Sequence, residues 1–413
     1  MNRKILDISK RAEEAQFSPI RKFVPFLEKA KKRGVEVFEL HIGQPDLETP
    51  KEILREIKNF KGKILSYTNS IGIEEVRKAW QKYYKDVGIN LDTSEIIVTT
   101  GGSEAIFFAF ATICNPGQEI IVFEPFYTNY NGYASIAGIK LVPVRTFAKN
   151  GFHLPSQKEI EKKINKKTRG ILICNPNNPT GTVYKKEELK MLAEIAKKRD
   201  LFILSDEVYR EFVYDGEKHY SMMDFPEIQD RVILLDSVSK RFSACGARIG
   251  CLASKNKKVI EGATKFAQAR LSSPMVEQSA VIPLLKNSKK YTQKIVREYK
   301  RRRDTVFEAL QKIPGIFCLK PKGAFYIIVK LPIKPRSRDA SLRGKDSDDF
   351  AKWLLTKFSF RGKTVMVASA SGFYATKGLG KDEIRIAFVL CSPKLKEAME
   401  VFKKGLEQYI KIN

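Results

Sequence analysis

Residues 237–250 read SVSKRFSACGARIG, placing Ser237, Ser239, Lys240 and Arg248 in one short stretch. A lysine amine condenses with an aldehyde to a Schiff base, and two hydroxyls with a guanidinium can hold a phosphate. Four further segments carry related chemistry. In SDEVY (205–209), Asp206 can hold a proton on a pyridinium nitrogen, and Tyr209 can donate to a ring hydroxylate. The same pattern also suits a helix N-cap aspartate with a packed tyrosine. In NPNNPTG (175–181), two Asn-Pro steps make a rigid turn that presents the amide of Asn178. In TGGSEA (100–105), Gly102, Ser103 and Glu104 open a helix. Glycines admit an anion close to the backbone and a helix start offers free N–H groups, although a plain turn has the same composition. In EPFY (124–127), Tyr127 is either a flat ring for a planar ligand or a core aromatic.

These segments share a context. Each follows a short apolar run rich in β-branched residues: 95–100, 119–123, 170–174, 201–205 and 232–236. Helical periodicity fills 103–113 and 187–199 between them. Continuous apolar strands alternating with helices predict an α/β domain with a mostly parallel sheet covered on both faces. Ligands of such sheets gather at the carboxyl ends of the strands, where all five segments fall. A long charged helix is expected over 294–311, then a smaller α+β domain with strands at 324–329 and 384–389. We expect a large domain at 46–290 and a small one from 1–45 with 291–413, joined by the helix near 291–312. Residues 334–346 are polar and basic and read as an exposed loop.

Composition excludes several classes. The 413 residues exceed one ordinary core. No run approaches the roughly 18 apolar residues of a spanning helix, and the charged start lacks the apolar centre of a signal peptide. We therefore expect a soluble, cytoplasmic protein with no membrane partner. Six cysteines without a C-x-x-C pair and three histidines without ligand spacing argue against disulfides and against any metal site. The net charge of +28 is scattered over helices and loops without aromatic platforms, so it reads as a lysine-rich surface and no nucleic-acid partner is expected.

Taken in order, the segments supply a phosphate cradle, a stacking ring, a ring-oxygen donor, a ring-nitrogen acceptor and a lysine. The chain resembles the class I/II aminotransferases, the pyridoxal-phosphate-dependent fold-type I family, from about Ser18 to the C-terminus. The resemblance includes Gly43-Gln44-Pro45-Asp46, Tyr67-Thr68 through Gly72, the five segments and Ile384-Arg385-Ile386-Ala387, and is greatest to bacterial aspartate-type members. It implies pyridoxal 5'-phosphate as cofactor and Lys240 as Schiff-base lysine and proton shuttle. Asp206 would pair with the ring nitrogen, Asn178 and Tyr209 contact the ring oxygen, and Tyr127 stack on the ring. Gly102, Ser103, Glu104, Ser237, Ser239 and Arg248 would surround the phosphate. Arg385 and Gly43 would take the substrate α-carboxylate beside Asn178, and Tyr67 would reach the neighbouring subunit of a homodimer with shared active sites.

The expected activity is ping-pong transfer of an amino group from an L-amino acid, L-aspartate first, to 2-oxoglutarate. A broad or aromatic range, a lyase or decarboxylase on the same fold, and a charge-driven binding protein remain alternatives. For a distal carboxylate the sequence offers Arg270 and, less directly, Arg21.

Overall fold

The computed structural model describes residues 6–333 and 346–412. The expected basic loop lies outside these residues except for Asp346, which caps the helix Ser347–Thr356. The described strands run β1 (Glu36–Glu39), β2 (Ile96–Thr99), β3 (Glu119–Glu124), β4 (Lys140–Arg145), β5 (Thr168–Cys174), β6 (Phe202–Asp206), β7 (Val232–Ser237), β8 (Gly250–Ala253), β9 (Tyr326–Lys330), β10 (Lys363–Met366), β11 (Ala368–Ser369) and β12 (Glu383–Ala387).

Strands β2 to β8 form one seven-stranded sheet in the order β2-β8-β7-β6-β5-β3-β4. Strands β3 to β7 pair in parallel, whereas β8 runs antiparallel to both β2 and β7. The sheet is covered on both faces, and alternate residues feed separate cores. Ile121, Ile171, Ile203 and Leu234 enter one. Ile120, Leu172, Leu204 and Ile233 enter the other. That is why these strands read as unbroken apolar runs.

Within this sheet, two strands escaped the sequence reading. Strand β4 carries Pro143 and survives because it lies at the sheet edge, where a missing N–H costs no ladder bond. Strand β8 follows β7 after only a short helix, Val238–Arg241, and a turn, so the chain returns alongside β7 instead of crossing over.

The remaining strands form a three-stranded antiparallel sheet, β11-β12-β9, and a parallel pair, β1-β10. The long helix spans Ser288–Gln311, starting earlier than its charge pattern suggested, and Ser288 and Thr292 in its first turns are buried. Its Tyr299, Val306 and Leu310 join β9 and β12 in a third core, which also includes Tyr209 and Cys174. No helix among the described residues is long and apolar enough to cross a membrane.

Candidate active site

The carboxyl ends of β5, β6 and β7 open on a cavity of about 320 Å³. Its lining includes Gly43, Gly102, Ser103, Tyr127, Asn178, Asp206, Tyr209, Ser237, Ser239, Lys240, Arg248 and Arg385, so the fold brings together most of the residues singled out from sequence.

One end is built to receive an anion. Gly101 has φ +76°, and a Cβ there would lie 2.4 Å from Arg248 Nη2, so only glycine lets the guanidinium approach this turn. The helix Gly102–Ile113 begins at the same point, and its first residues, Gly102 and Ser103, line the cavity, where a helix start can offer free N–H groups. Ser237 and Ser239 place their hydroxyls 2.7 Å apart, and Ser237 caps the helix that carries Lys240. Arg248 is steadied by donating to the carbonyls of Cys245 at 3.0 Å and Thr100 at 3.3 Å.

In the middle, Lys240 Nζ donates to the Gly43 carbonyl at 2.8 Å and lies 3.7 Å from Cys245 Sγ. Asp206 accepts from the Tyr130 hydroxyl at 2.6 Å and from the Val208 N–H at 3.4 Å. Burial raises its carboxyl to about 6, although the Tyr130 bond pulls the other way. Tyr127 meets Tyr130 edge to face at 5.4 Å, and its hydroxyl accepts from Asn129 at 2.8 Å. Asn178 sits in a turn braced by Asn177, whose side-chain oxygen accepts from the Thr180 N–H at 3.2 Å and hydroxyl at 2.9 Å.

At the other end, Arg385 on β12 is buried, with Nη1 donating to Asn178 Oδ1 at 3.1 Å and Nη2 to the His41 carbonyl. Its Nε is buried without a partner, a donor left over for an anion. Burial lowers its pKa. Burial, with a smaller contribution from Arg385, lowers His41 to about 4, so that ring is neutral near pH 7.

Three expected residues do not line this cavity. Glu104 accepts from the Thr100 N–H at 2.8 Å and pairs with Arg270 Nε at 3.3 Å. Arg270 also donates to Ser273 Oγ at 3.0 Å and to the carbonyls of Ser70 and Val98 at 3.1 and 3.2 Å. Tyr67 stands 78% exposed. Conversely, Tyr326, Cys245 and Asn129 line the cavity, and Tyr130 supports it, without having been singled out. Tyr130 lies in the first turn of the helix Asn129–Ala137, just after Tyr127, and nothing in its residue type marked it out. Tyr326 lies within an apolar strand and carries no signal. Arg21, the secondary candidate, does line the cavity.

A lysine, a buried carboxylate and an anion cradle at the strand ends of such a sheet, faced by a buried arginine from the small sheet, are the arrangement of a fold-type I transferase. The chain belongs to the class I and II aminotransferases: the family model "Aminotransferase class I and II" matches residues 35–402. It is 34% identical to aromatic-amino-acid aminotransferase 2 of Thermococcus litoralis, over 97% of this chain and 98% of that one. It is also 34% identical to the aspartate aminotransferase of Pyrococcus horikoshii, over 90% and 91% of the two chains. The alanine aminotransferase structure from Pyrococcus furiosus superposes with a TM-score of 0.86 at 30% identity, covering 97% of this chain and 100% of that one. The protein is accordingly a transaminase.

Proposed function

We propose that this transaminase holds pyridoxal 5'-phosphate on Lys240 and moves the amino group of an L-amino acid, L-aspartate first, to 2-oxoglutarate. The observation that carries this reading is that Lys240, Asp206 and Arg385 converge on one cavity of about 320 Å³. The residues fit the cofactor: the Gly101 turn is kept free of a Cβ, and Ser237, Ser239 and Arg248 converge beside a helix start to take a phosphate. Asp206, buried at the cavity, would as a carboxylate accept from a protonated ring nitrogen, whose charge would offset the burial that raises its carboxyl in the empty site, and Asn178 and Tyr209, which line the same cavity, would take the ring oxygen. When bound, the cofactor supplies an electron sink for the pair left on the substrate α-carbon.

The protein's own groups do the rest. Arg385 grips the α-carboxylate through its planar fork, with the unpartnered Nε among its donors. Lys240 removes the α-proton at Nζ and returns a proton on the way to the oxo acid, and the Gly43 carbonyl steadies that amine at 2.8 Å. Tyr127 would pack against the cofactor ring, and the Asp206 carboxylate would keep its ring nitrogen protonated. On the division of the chain into 46–290 and the remainder, Lys240 and Asp206 come from one unit and Gly43 and Arg385 from the other.

Aspartate as donor is supported by the relatives that bear that name and by Arg21 at the cavity. A broader or aromatic range is the second reading, supported by the Thermococcus litoralis relative. A homodimer belongs to the proposal, supported by the exposed run Ile64, Leu65 and Tyr67. A cytoplasmic location is supported by six free thiols.

The test is the absorbance spectrum of the protein mixed with pyridoxal phosphate, with and without L-aspartate, beside Lys240→Ala. A visible band that bleaches with aspartate and is missing from the variant supports cofactor and donor together. A band indifferent to aspartate but bleached by phenylalanine moves the assignment to the second reading. No band in the wild type overturns the cofactor.

A further inference from the structure

We propose that Tyr326 is a positioning residue that couples the carboxylate-binding arginine to the tyrosine facing the cofactor's ring oxygen. This rests on the cofactor reading above and goes beyond it.

Tyr326 touches three parts of the site. In the antiparallel β9–β12 register, Arg385 opposes Ile328 and Ala387 opposes Tyr326. Arg385 and Tyr326 are therefore diagonal neighbours on one face of the small sheet. The Tyr326 ring lies 4.4 Å from the Arg385 guanidinium, and Phe373 lies 4.9 Å from it. With rings against it, the guanidinium has a fixed plane in which to present its donors. The Tyr326 hydroxyl lies 2.7 Å from the Tyr209 hydroxyl. Finally, a Cβ on Gly43 would fall 1.8 Å from that same hydroxyl, so Tyr326 fills the space that glycine leaves beside the carbonyl holding Lys240.

A hydroxyl has one proton to give. Either hydroxyl can donate across this contact; with Tyr326 as the donor, the Tyr209 proton is left for an acceptor inside the cavity. A hydroxyl that accepts a hydrogen bond also becomes a stronger donor. Tyr326 thus sets both the plane of Arg385 and the donor strength of Tyr209, on elements from different parts of the chain.

Two substitutions separate the two contacts. Tyr326→Phe keeps the ring under Arg385 and removes the hydroxyl. Tyr326→Leu removes both. The readouts are the midpoint pH of the visible absorbance change of the pyridoxal-phosphate-loaded protein, and KM for the amino-acid donor. For Tyr326→Phe, a weaker Tyr209 bond leaves more charge on the ring oxygen and a firmer hold on the neighbouring proton. The midpoint should rise by roughly half a pH unit to one unit. Its KM should stay within about 2-fold, whereas Tyr326→Leu should raise KM about 10-fold. Tyr326→Phe titrating at the wild-type midpoint overturns the coupling, and so does Tyr326→Phe raising KM as much as Tyr326→Leu. If Tyr326→Leu does not fold, the midpoint of Tyr326→Phe decides alone. A wild-type protein without a visible band overturns the cofactor reading itself, which sets that failure apart from a loaded protein whose variant is unchanged.

Discussion

The Tyr130 hydroxyl donates to Asp206 Oδ2 at 2.6 Å beneath the cavity, and both side chains are buried. This bond stabilises the ionised carboxylate, while burial favours the neutral acid. Burial wins, and the carboxyl stands at about 6 instead of the ordinary 3.8. In the cofactor-free fold Asp206 therefore keeps its proton where the unfolded chain has released it. The stability this confers is complete below about pH 4 and is lost as pH rises through about 6. Asp206→Asn should escape that loss. Its melting temperature relative to wild type should climb between about pH 4 and about pH 7, then level off. Tyr130→Phe, lacking the opposing bond, should shift the wild-type loss to higher pH. A difference between Asp206→Asn and wild type that stays flat with pH would contradict the assignment.

Arg385 should tolerate lysine poorly. An ammonium cannot reproduce the fork that bonds Asn178 and His41 and still leaves Nε over. We expect Arg385→Lys to lower kcat/KM by about 100-fold, mostly through KM, because the lost contact is to bound substrate in every state. Steady-state kinetics with varied amino donor decide it; a fall confined to kcat would assign Arg385 elsewhere.

The two arginines considered for a distal carboxylate should behave differently. Arg21 lines the cavity, whereas Arg270 is held by Glu104, Ser273 and two carbonyls. Arg21→Ala should raise KM for aspartate about 10-fold and leave phenylalanine within about 2-fold. Arg270→Ala should lower the melting temperature with little change in either KM. The reverse pattern would hand the role to Arg270, reaching a neighbouring subunit's site.

Behind Lys240, Arg241 is fully buried against Asp236 at 2.8 Å and Glu211 at 3.2 Å. Its ring contact with Tyr83 is 4.3 Å. Removing Asp236 leaves the buried guanidinium with Glu211 as its one remaining ion-pair partner among these two. Asp236→Ala should destabilise the fold by about 3–5 kcal/mol in urea denaturation. A cost below about 1 kcal/mol would mean that Glu211 and water suffice.

Much of this cavity's lining is legible in the sequence. The segments at 100–105, 175–181, 205–209 and 237–250 each end a strand, and parallel strands gather their carboxyl ends at one edge. Chemistry and position were thus legible together. Tyr326 was not, because it belongs to an apolar strand whose residues otherwise serve the core. Glu104 was misleading for the opposite reason: it sits beside the anion cradle in sequence but turns back to Thr100 and Arg270.

The sequence by itself determined the α/β class and singled out Lys240 and Asp206 as candidates, since these depend on residue type and on periodicity along one element. Only the tertiary structure decided which face of β12 Arg385 presents, that Tyr326 lies between it and Tyr209, and that Arg21, not Arg270, borders this chain's cavity. Such relations join residues far apart in the chain. They depend on how separate sheets pack, which no local pattern of residues encodes.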